Sequence, residues 1–314
     1  MARYILRRLL QAVPILLGAS LVTFLIVHLA PGGPIEAYSN PRVSHETINQ
    51  MVHQLGLDRP LYEQYFVWLK GMLTFNFGWS FTDGRLVTQV IADRLPATLI
   101  LMGSALLVTV AVAIPLGIVG AIHQYSSFDY ALTTYSYVGL ATPSFWLGLM
   151  LMFVFAVKLR LFPTNGMHAY GDHSLGDLLR HLALPVASLA IQQIAGWSRY
   201  MRATMLEVVR QDYVRTARAK GLSDRVVLYK HALRNALGPI VTLLGLSFPG
   251  LIGGAAITES IFSWPGLGQV SIQATFGRDY PVVMGFIMVT ALAVVIGNLL
   301  ADIGYALIDP RVRY

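Results

Sequence analysis

Residues 97–122 read ATLILMGSALLVTVAVAIPLGIVGAI, and no charged side chain interrupts them. A helix needs about 20 apolar residues to cross the hydrocarbon core of a bilayer. This stretch exceeds that length and sets the fold class: the chain crosses a membrane as helices. Five further stretches fit the same reading, at 9–29, 133–158, 182–201, 239–262 and 281–308. The fourth span in chain order is interrupted by Gln192 and Gln193, and the fifth is loosened by glycines. Composition agrees. The 314-residue chain is 55% hydrophobic and 12% charged, with mean hydropathy +0.59. Soluble domains carry about a quarter charged residues. The absence of cysteine excludes disulfides, thiolate metal sites and cysteine nucleophiles.

The first span follows Arg3, Arg7 and Arg8, as a signal peptide would. Its apolar run is longer than the about 7–15 residues of a signal h-region, so it reads as an uncleaved span. The formal net charge is +7. Basic residues near span ends mark the cytoplasmic side. With the N-terminus inside, the cytoplasm receives Arg3, Arg7, Arg8, the cluster within 199–234, Arg311 and Arg313. The outer short loops receive Lys158, Arg160, Arg180 and Arg278. The basic excess is therefore explained by topology, and nucleic acid is not among the expected partners.

Between the first two spans, 30–96 is long for a loop and predicts structure of its own. SHETINQMVHQLG (44–56) reads as a helix started by Ser44 and Glu46 and ended by Gly56. RPLYEQYFVWLKGML (59–73) places Leu61, Tyr65, Trp68 and Leu69 at near-helical spacing. The segment reads as a small outer cap, or as a docking or gating element for something delivered from outside.

Between spans four and five, the spacing predicts a polar helical hairpin divided at Gly221. In its first arm Leu206, Val209, Tyr213 and Ala217 share a face, with Arg215 and Arg218 opposite. Gly221 ends that arm in the left-handed conformation. Ser223 caps the second arm, whose expected apolar face is Val226, Tyr229, Leu233 and Leu237. Arg218 and Lys220 also complement a helix C-terminus without any further role.

This region, DYVRTARAKGLSDRVVLYKHALRNALGPIVTLLG (212–245), resembles the cytoplasmic EAA loop of binding-protein-dependent ABC importer permeases. The dipeptide/oligopeptide/nickel branch is also resembled at YILRRLLQAVPILLGASLVTFLIVHLAPGGP (4–34), LGLDRPLYEQY (55–65), RLPATL (94–99) and TPSFWLGL (142–149). The likeness continues at LRHLALP (179–185), IFSWPGLG (261–268), RDYPVV (278–283) and DPRVRY (309–314). Aligned on Gly221, the generic loop's Glu-Ala-Ala falls on Arg215-Thr216-Ala217, and its Ile-x-Leu-Pro on His231-Ala232-Leu233-Arg234. Ala217, Gly221 and Leu233 match. Arg215 reverses the charge of the leading glutamate, so a salt bridge from that glutamate to the ATPase does not carry over.

The resemblance implies an all-α membrane protein with six transmembrane helices in the type I ABC importer permease fold. The implied organisation is an N-terminal span (1–29), an extracytoplasmic helical segment (30–96), a five-helix core (97–308) including a coupling hairpin (203–237), and a cytoplasmic tail (309–314). It implies a permease that forms half of a pathway for di- or oligopeptides, in a bacterial-type inner membrane with both termini cytoplasmic. The implied partners are a second homologous permease subunit, two cytoplasmic ATPases and an external substrate-binding protein. ATP and Mg would sit on the ATPases, because this chain has no G-x-x-x-x-G-K-[ST] loop. The expected ATPase-coupling seat is Asp212, Arg215, Thr216, Ala217, Arg218, Ala219, Lys220, Gly221 and Leu222. Substrate-binding residues are not legible.

Pro14, Pro115, Pro143, Pro185 and Pro249 mark expected interruptions of the spans. Gly250 and Gly254 form a small-xxx-small pair suited to close packing. Glu259 and Asp302 are expected near the outer end of span five and the inner end of span six, both close to water. A secondary transporter would place charge nearer mid-membrane. A nickel permease of the same branch is the alternative cargo reading, with His168, Asp172 and His173, and beyond them Asp177 and His181, as candidate ligands. An intramembrane serine protease is disfavoured, since Ser144 lacks a suitable setting and no histidine follows His231.

Overall fold

The computed structural model describes residues 2–29, 53, 56 and 58–308, with side chains described for 6–29, 53, 56 and 58–300. The expected helix at 44–56 lies outside the described residues, apart from His53 and Gly56, and so does the side chain of Asp302. In chain order the helices are α1 (Ala2–Leu29), α2 (Leu61–Leu73), α3 (Val87–Ile122), α4 (Ser127–Ala141), α5 (Ser144–Leu151) and α6 (Leu175–Val209). There follow α7 (Asp212–Ala219), α8 (Asp224–Val226), α9 (Leu233–Ala236), α10 (Gly238–Gly253), α11 (Ala256–Ile261), α12 (Leu267–Phe276) and α13 (Tyr280–Ile308). Two π-helical segments, Met152–Lys158 and Val227–Ala232, extend α5 and join α8 to α9.

Five of these segments are long and apolar enough to span: Leu6–Leu29, Val87–Ile122, Leu175–Val209, Gly238–Ile261 and Tyr280–Leu300. Ser127–Ala141 and Ser144–Lys158 make a sixth span if the pair, bent by 103°, is counted as one. The fourth span is longer than the expected 182–201. Ser174 starts it by accepting the Asp177 backbone N–H, and it runs on past the apolar stretch to Val209. Pro14, Pro185 and Pro249 lie inside helices. The sharp break is at Thr142–Pro143, because a residue before proline is driven out of the α region. The Gly250/Gly254 pair is not a helical packing pair: α10 ends at Gly253, and Gly254 is left-handed at φ 72°.

The chain forms two compact units. One comprises Met1–Thr98, Ile252–Ala256 and Pro265–Ile296. In it Phe24 and Val27 pack with Met72, Tyr280 and Met284, flanked by Tyr65 and Trp68 of α2. Leu61, expected on the same face, is exposed. The Ser80 hydroxyl and the backbone N–H groups of Phe81 and Thr82 (3.1 Å each) all donate to the buried Asp279 carboxylate. A cavity of about 590 Å³ opens among Phe24, His28, Gln64, Trp68, Asn76 and Tyr280.

The other unit comprises Leu99–Leu251, Ile257–Trp264 and Gly297–Tyr314. Its largest apolar cluster joins Ala113 and Ile118 of α3 to Ala190, Ile194, Trp197, Met201 and Met205 of α6. The helices approach at small residues. A Cβ on Gly117 would meet Met201 Cβ at 2.6 Å, and one on Gly139 would meet Ala195 Cβ at 2.8 Å. Small residues are what allow membrane helices to pack this closely. The two glutamines that interrupt span four are bonded inside this unit. The Gln192 amide donates to the Thr142 carbonyl at the break, and Gln193 Oε1 accepts from Thr109 (3.4 Å).

Candidate functional site

The hairpin between spans four and five begins where α6 ends. Its last turn closes at Arg210, and Gln211 turns extended. The first arm is therefore not continuous from Met205: Leu206 and Val209 belong to α6, and α7 starts afresh at Asp212. Only Ala217 of the expected inner face is confirmed within α7. Val214 and Ala217 are buried, whereas Tyr213 is exposed and its hydroxyl accepts from Asn235 Nδ2 (2.8 Å).

Gly221 takes φ 77°, as its position predicts. The turn closes as a Schellman motif. The Leu222 N–H donates to the Ala217 carbonyl (3.4 Å), and the Gly221 N–H donates to that of Arg218 (2.9 Å). A Cβ at Gly221 would touch nothing within 4 Å, so only the backbone conformation favours glycine there. Ser223 stands at the start of α8, but its side chain makes no capping bond. The two arms are linked instead by Arg218 and Asp224, 3.4 Å apart.

The second arm turns only part of its expected face inward. Val226 and Tyr229 are 38% and 59% exposed, while Val227, Ala232 and Ala236 are fully buried. The π-helical segment explains the change. Its i→i+5 repeat brings residues five apart, such as Val227 and Ala232, over one another. Leu233 and Leu237 pack against the same cluster, as expected.

The expected coupling residues thus form one continuous, mostly solvent-facing strip. Asp212, Arg215, Thr216, Arg218, Ala219, Lys220, Gly221 and Leu222 are exposed, and Ala217 anchors the strip to the apolar cluster. Arg215 and Asp212 lie 3.8 Å apart, both largely in solvent. The Thr216 hydroxyl donates to the Asp212 carbonyl (2.9 Å), inside its own helix. None of these side chains is set up for proton or group transfer. The strip ends as a short exposed helix closed by the turn at Gly221.

Other candidates fall elsewhere. Asp177 lies between His168 (3.0 Å) and His181 (3.2 Å), and His168 faces the His173 ring at 5.1 Å. Asp172 accepts the Ser174 N–H (2.8 Å), a bond that holds its carboxyl below the ordinary carboxylate range. Among the described residues no three His, Asp or Glu side chains converge as a metal site. Glu259 lies near the end of the Gly238–Ile261 span, as expected, with its side chain fully buried; the Trp264 N–H donates to the Glu259 carbonyl (2.8 Å).

One pair was not singled out by sequence reasoning. Asp129, in the first turn of α4, is 3% exposed and receives a two-pronged bond from Arg202 of α6, Nε at 2.5 Å and Nη2 at 2.7 Å. The available signal was an arginine set between Met201 and Met205 near the end of an apolar stretch.

Comparison with known proteins places these features in context. Residues 113–314 match the family described as binding-protein-dependent transport system inner membrane component. Residues 1–102 match the N-terminal part of such membrane components. The oligopeptide transport system permease protein AppB of Bacillus subtilis is 45% identical over 316 residues, covering all of both chains. The dipeptide transport system permease protein DppB of Alkalihalophilus pseudofirmus is 38% identical, again covering all of both. In fold, the chain resembles an inward-facing methionine ABC transporter, MetNI, with TM-score 0.58 at 14% identity, over 70% of this chain and 97% of that one.

Proposed function

Because the chain belongs to the family of binding-protein-dependent transport system inner membrane components, we propose that it is the permease subunit of an ATP-driven peptide importer. It is a multi-pass inner-membrane protein. In this reading it forms half of the pathway for di- or oligopeptides brought by an external binding protein, and a second homologous permease forms the other half. Two cytoplasmic ATPases carry the ATP and Mg, and both termini of this chain face them, in keeping with the positive-inside rule. The chain is a transport subunit without an ATPase site of its own, and it is organised as the 1–29, 30–96, 97–308 and 309–314 segments expected above.

The exposed strip on α7 and its closing turn carry the reading. It has no reactive group, and it is anchored by Val214 and Ala217 to the cluster that includes the end of α6. Motion imposed on the strip therefore reaches a helix that also spans the membrane. Alternating access is then rocking of packed helices driven from the hairpin. The seat of that drive is Asp212, Arg215, Thr216, Ala217, Arg218, Ala219, Lys220, Gly221 and Leu222. The charges of Arg215 and Arg218 serve topology and helix ends, since Arg215 stands where the generic loop has an acid.

The test is reconstitution in liposomes with the partner permease, ATPases and binding protein. Radiolabelled dialanine and pentaalanine are the probes, with nickel-63 in a parallel arm. ATP-dependent peptide uptake is expected. Uptake that persists without the ATPases identifies a secondary transporter, and uptake of nickel alone replaces the peptide cargo.

A further inference from the structure

We infer that the Arg202–Asp129 pair is a positioning link that carries motion of the hairpin into the third span. The inference rests on the reading of the hairpin as the point where work enters. Arg202 lies two turns before the end of α6, about 10 Å along the helix axis from Val209 at 1.5 Å per residue. Between them, Met205 is fully buried in the cluster that holds Val214, Ala217, Val227 and Ala236 of the hairpin. The Thr204 hydroxyl adds a bond to the Ala236 carbonyl (3.4 Å). The hairpin and the end of α6 are thus packed as one piece.

On the other side of the pair, Asp129 is fixed to the start of α4 and the turn before it by two bonds. Its backbone N–H donates to the capping Ser126 hydroxyl (3.2 Å). Its carboxylate accepts the N–H of Tyr125 (2.9 Å), a residue held left-handed at φ 64°. It then accepts both prongs from Arg202. The turn between spans two and three and the first turn of span three therefore share one carboxylate with span four. Span two closes over the pair at Gly120, where a Cβ would stand 3.5 Å from Arg202 Cδ and 3.6 Å from Asp129 Oδ1.

The chemistry suits orientation more than cohesion. A buried ion pair contributes little over apolar side chains of the same volume, because desolvation offsets the attraction. A two-pronged guanidinium–carboxylate contact does fix direction, since both N–H···O bonds hold in one relative orientation only. Farther along the same helices cohesion is supplied without it, by Gly139 against Ala195 and by the Tyr135 hydroxyl on the Ile191 carbonyl (2.7 Å). The pair adds angular stiffness at the end where the hairpin pulls.

The test uses Asp129→Asn combined with Arg202→Met in the full reconstituted complex. The amide oxygen still accepts from Tyr125 and the thioether fills the arginine's path, but the fork is lost. Uptake of radiolabelled pentaalanine per ATP hydrolysed is expected to fall about tenfold, with ATPase association unchanged. Because the chain has no cysteine, Ser127→Cys and Ser223→Cys place two spin labels, one on each side of the pair. Their separation is expected to stay narrow through the ATP cycle in the parent and to broaden in the variant. A separation as narrow in the variant as in the parent overturns the inference. If the double variant does not assemble, Arg202→Lys, which keeps the charge without the fork, is read by the same labels and the same criterion. A parent complex that moves no peptide while its labels behave as described refutes the transport reading and leaves the link standing.

Discussion

The chain breaks a helix at Gly221 and again at Thr142–Pro143, and the two breaks are closed by different means. At Gly221 the turn lies in water and closes on its own backbone, through Leu222 to Ala217 and Gly221 to Arg218. At Thr142 the break lies within an apolar span, and the carbonyl is met by the Gln192 amide of another helix. Water can satisfy an open backbone group at a surface; hydrocarbon cannot, so the second break must borrow its partner. A break in water is a local property, whereas a break in a membrane span is a property of the neighbours.

The sharpest way to break this comparison is Gly221→Pro. Proline fixes φ near about −65° and removes the N–H bonded to Arg218. Both Schellman bonds go, at about 0.5–1.5 kcal/mol each, and the strip is redirected. Co-purification of the ATPases and peptide-stimulated hydrolysis are both expected to be lost; survival of both refutes the seat at Gly221. Next comes Gln192→Leu, which leaves the Thr142 carbonyl with no partner from span four. The expected loss is about 1–3 kcal/mol, measured by unfolding in detergent. An unchanged midpoint shows that the break does not depend on its neighbour.

Gly221→Ala sharpens the local side. Its Cβ meets nothing, so the cost is the left-handed backbone alone, about 1–2 kcal/mol. Gly221→Asn should cost less, because asparagine tolerates that region better. A bulk effect would reverse this order. The smallest effect is expected for Arg215→Ala, whose partner Asp212 lies almost fully in solvent. Stability should change by less than about 0.5 kcal/mol, and added salt should abolish even that.

Legibility follows the same division. The spans were legible because their length and lack of charge are properties of each segment alone. The turn at Gly221 was legible because glycine stands where a left-handed residue ends a polar helix. The hairpin's inner face was legible only in part: Ala217, Leu233 and Leu237 face inward as expected. Val226 and Tyr229 were expected inside from their helical spacing with Leu233 and Leu237, yet the π-helical segment turns Val227, Ala232 and Ala236 inward. Small residues carry little apolar signal in sequence but allow the closest approach. The break at Arg210–Gln211 was missed because the apolar spacing runs across it without interruption. The burial of Glu259 was not legible either, because nearness to a span end does not report what packs against a side chain.

What the amino-acid sequence determined by itself is the membrane class, the sequence of apolar spans, the helix from Leu61, and the left-handed turn at Gly221. Each depends on composition or backbone preference within a few turns of chain. Tertiary structure alone decided which residues the hairpin buries, how the third span's break is satisfied, and that Asp129 meets Arg202 across 73 positions of sequence. Those features require a polar group to find its partner on another helix, and the identity of that partner is set by packing.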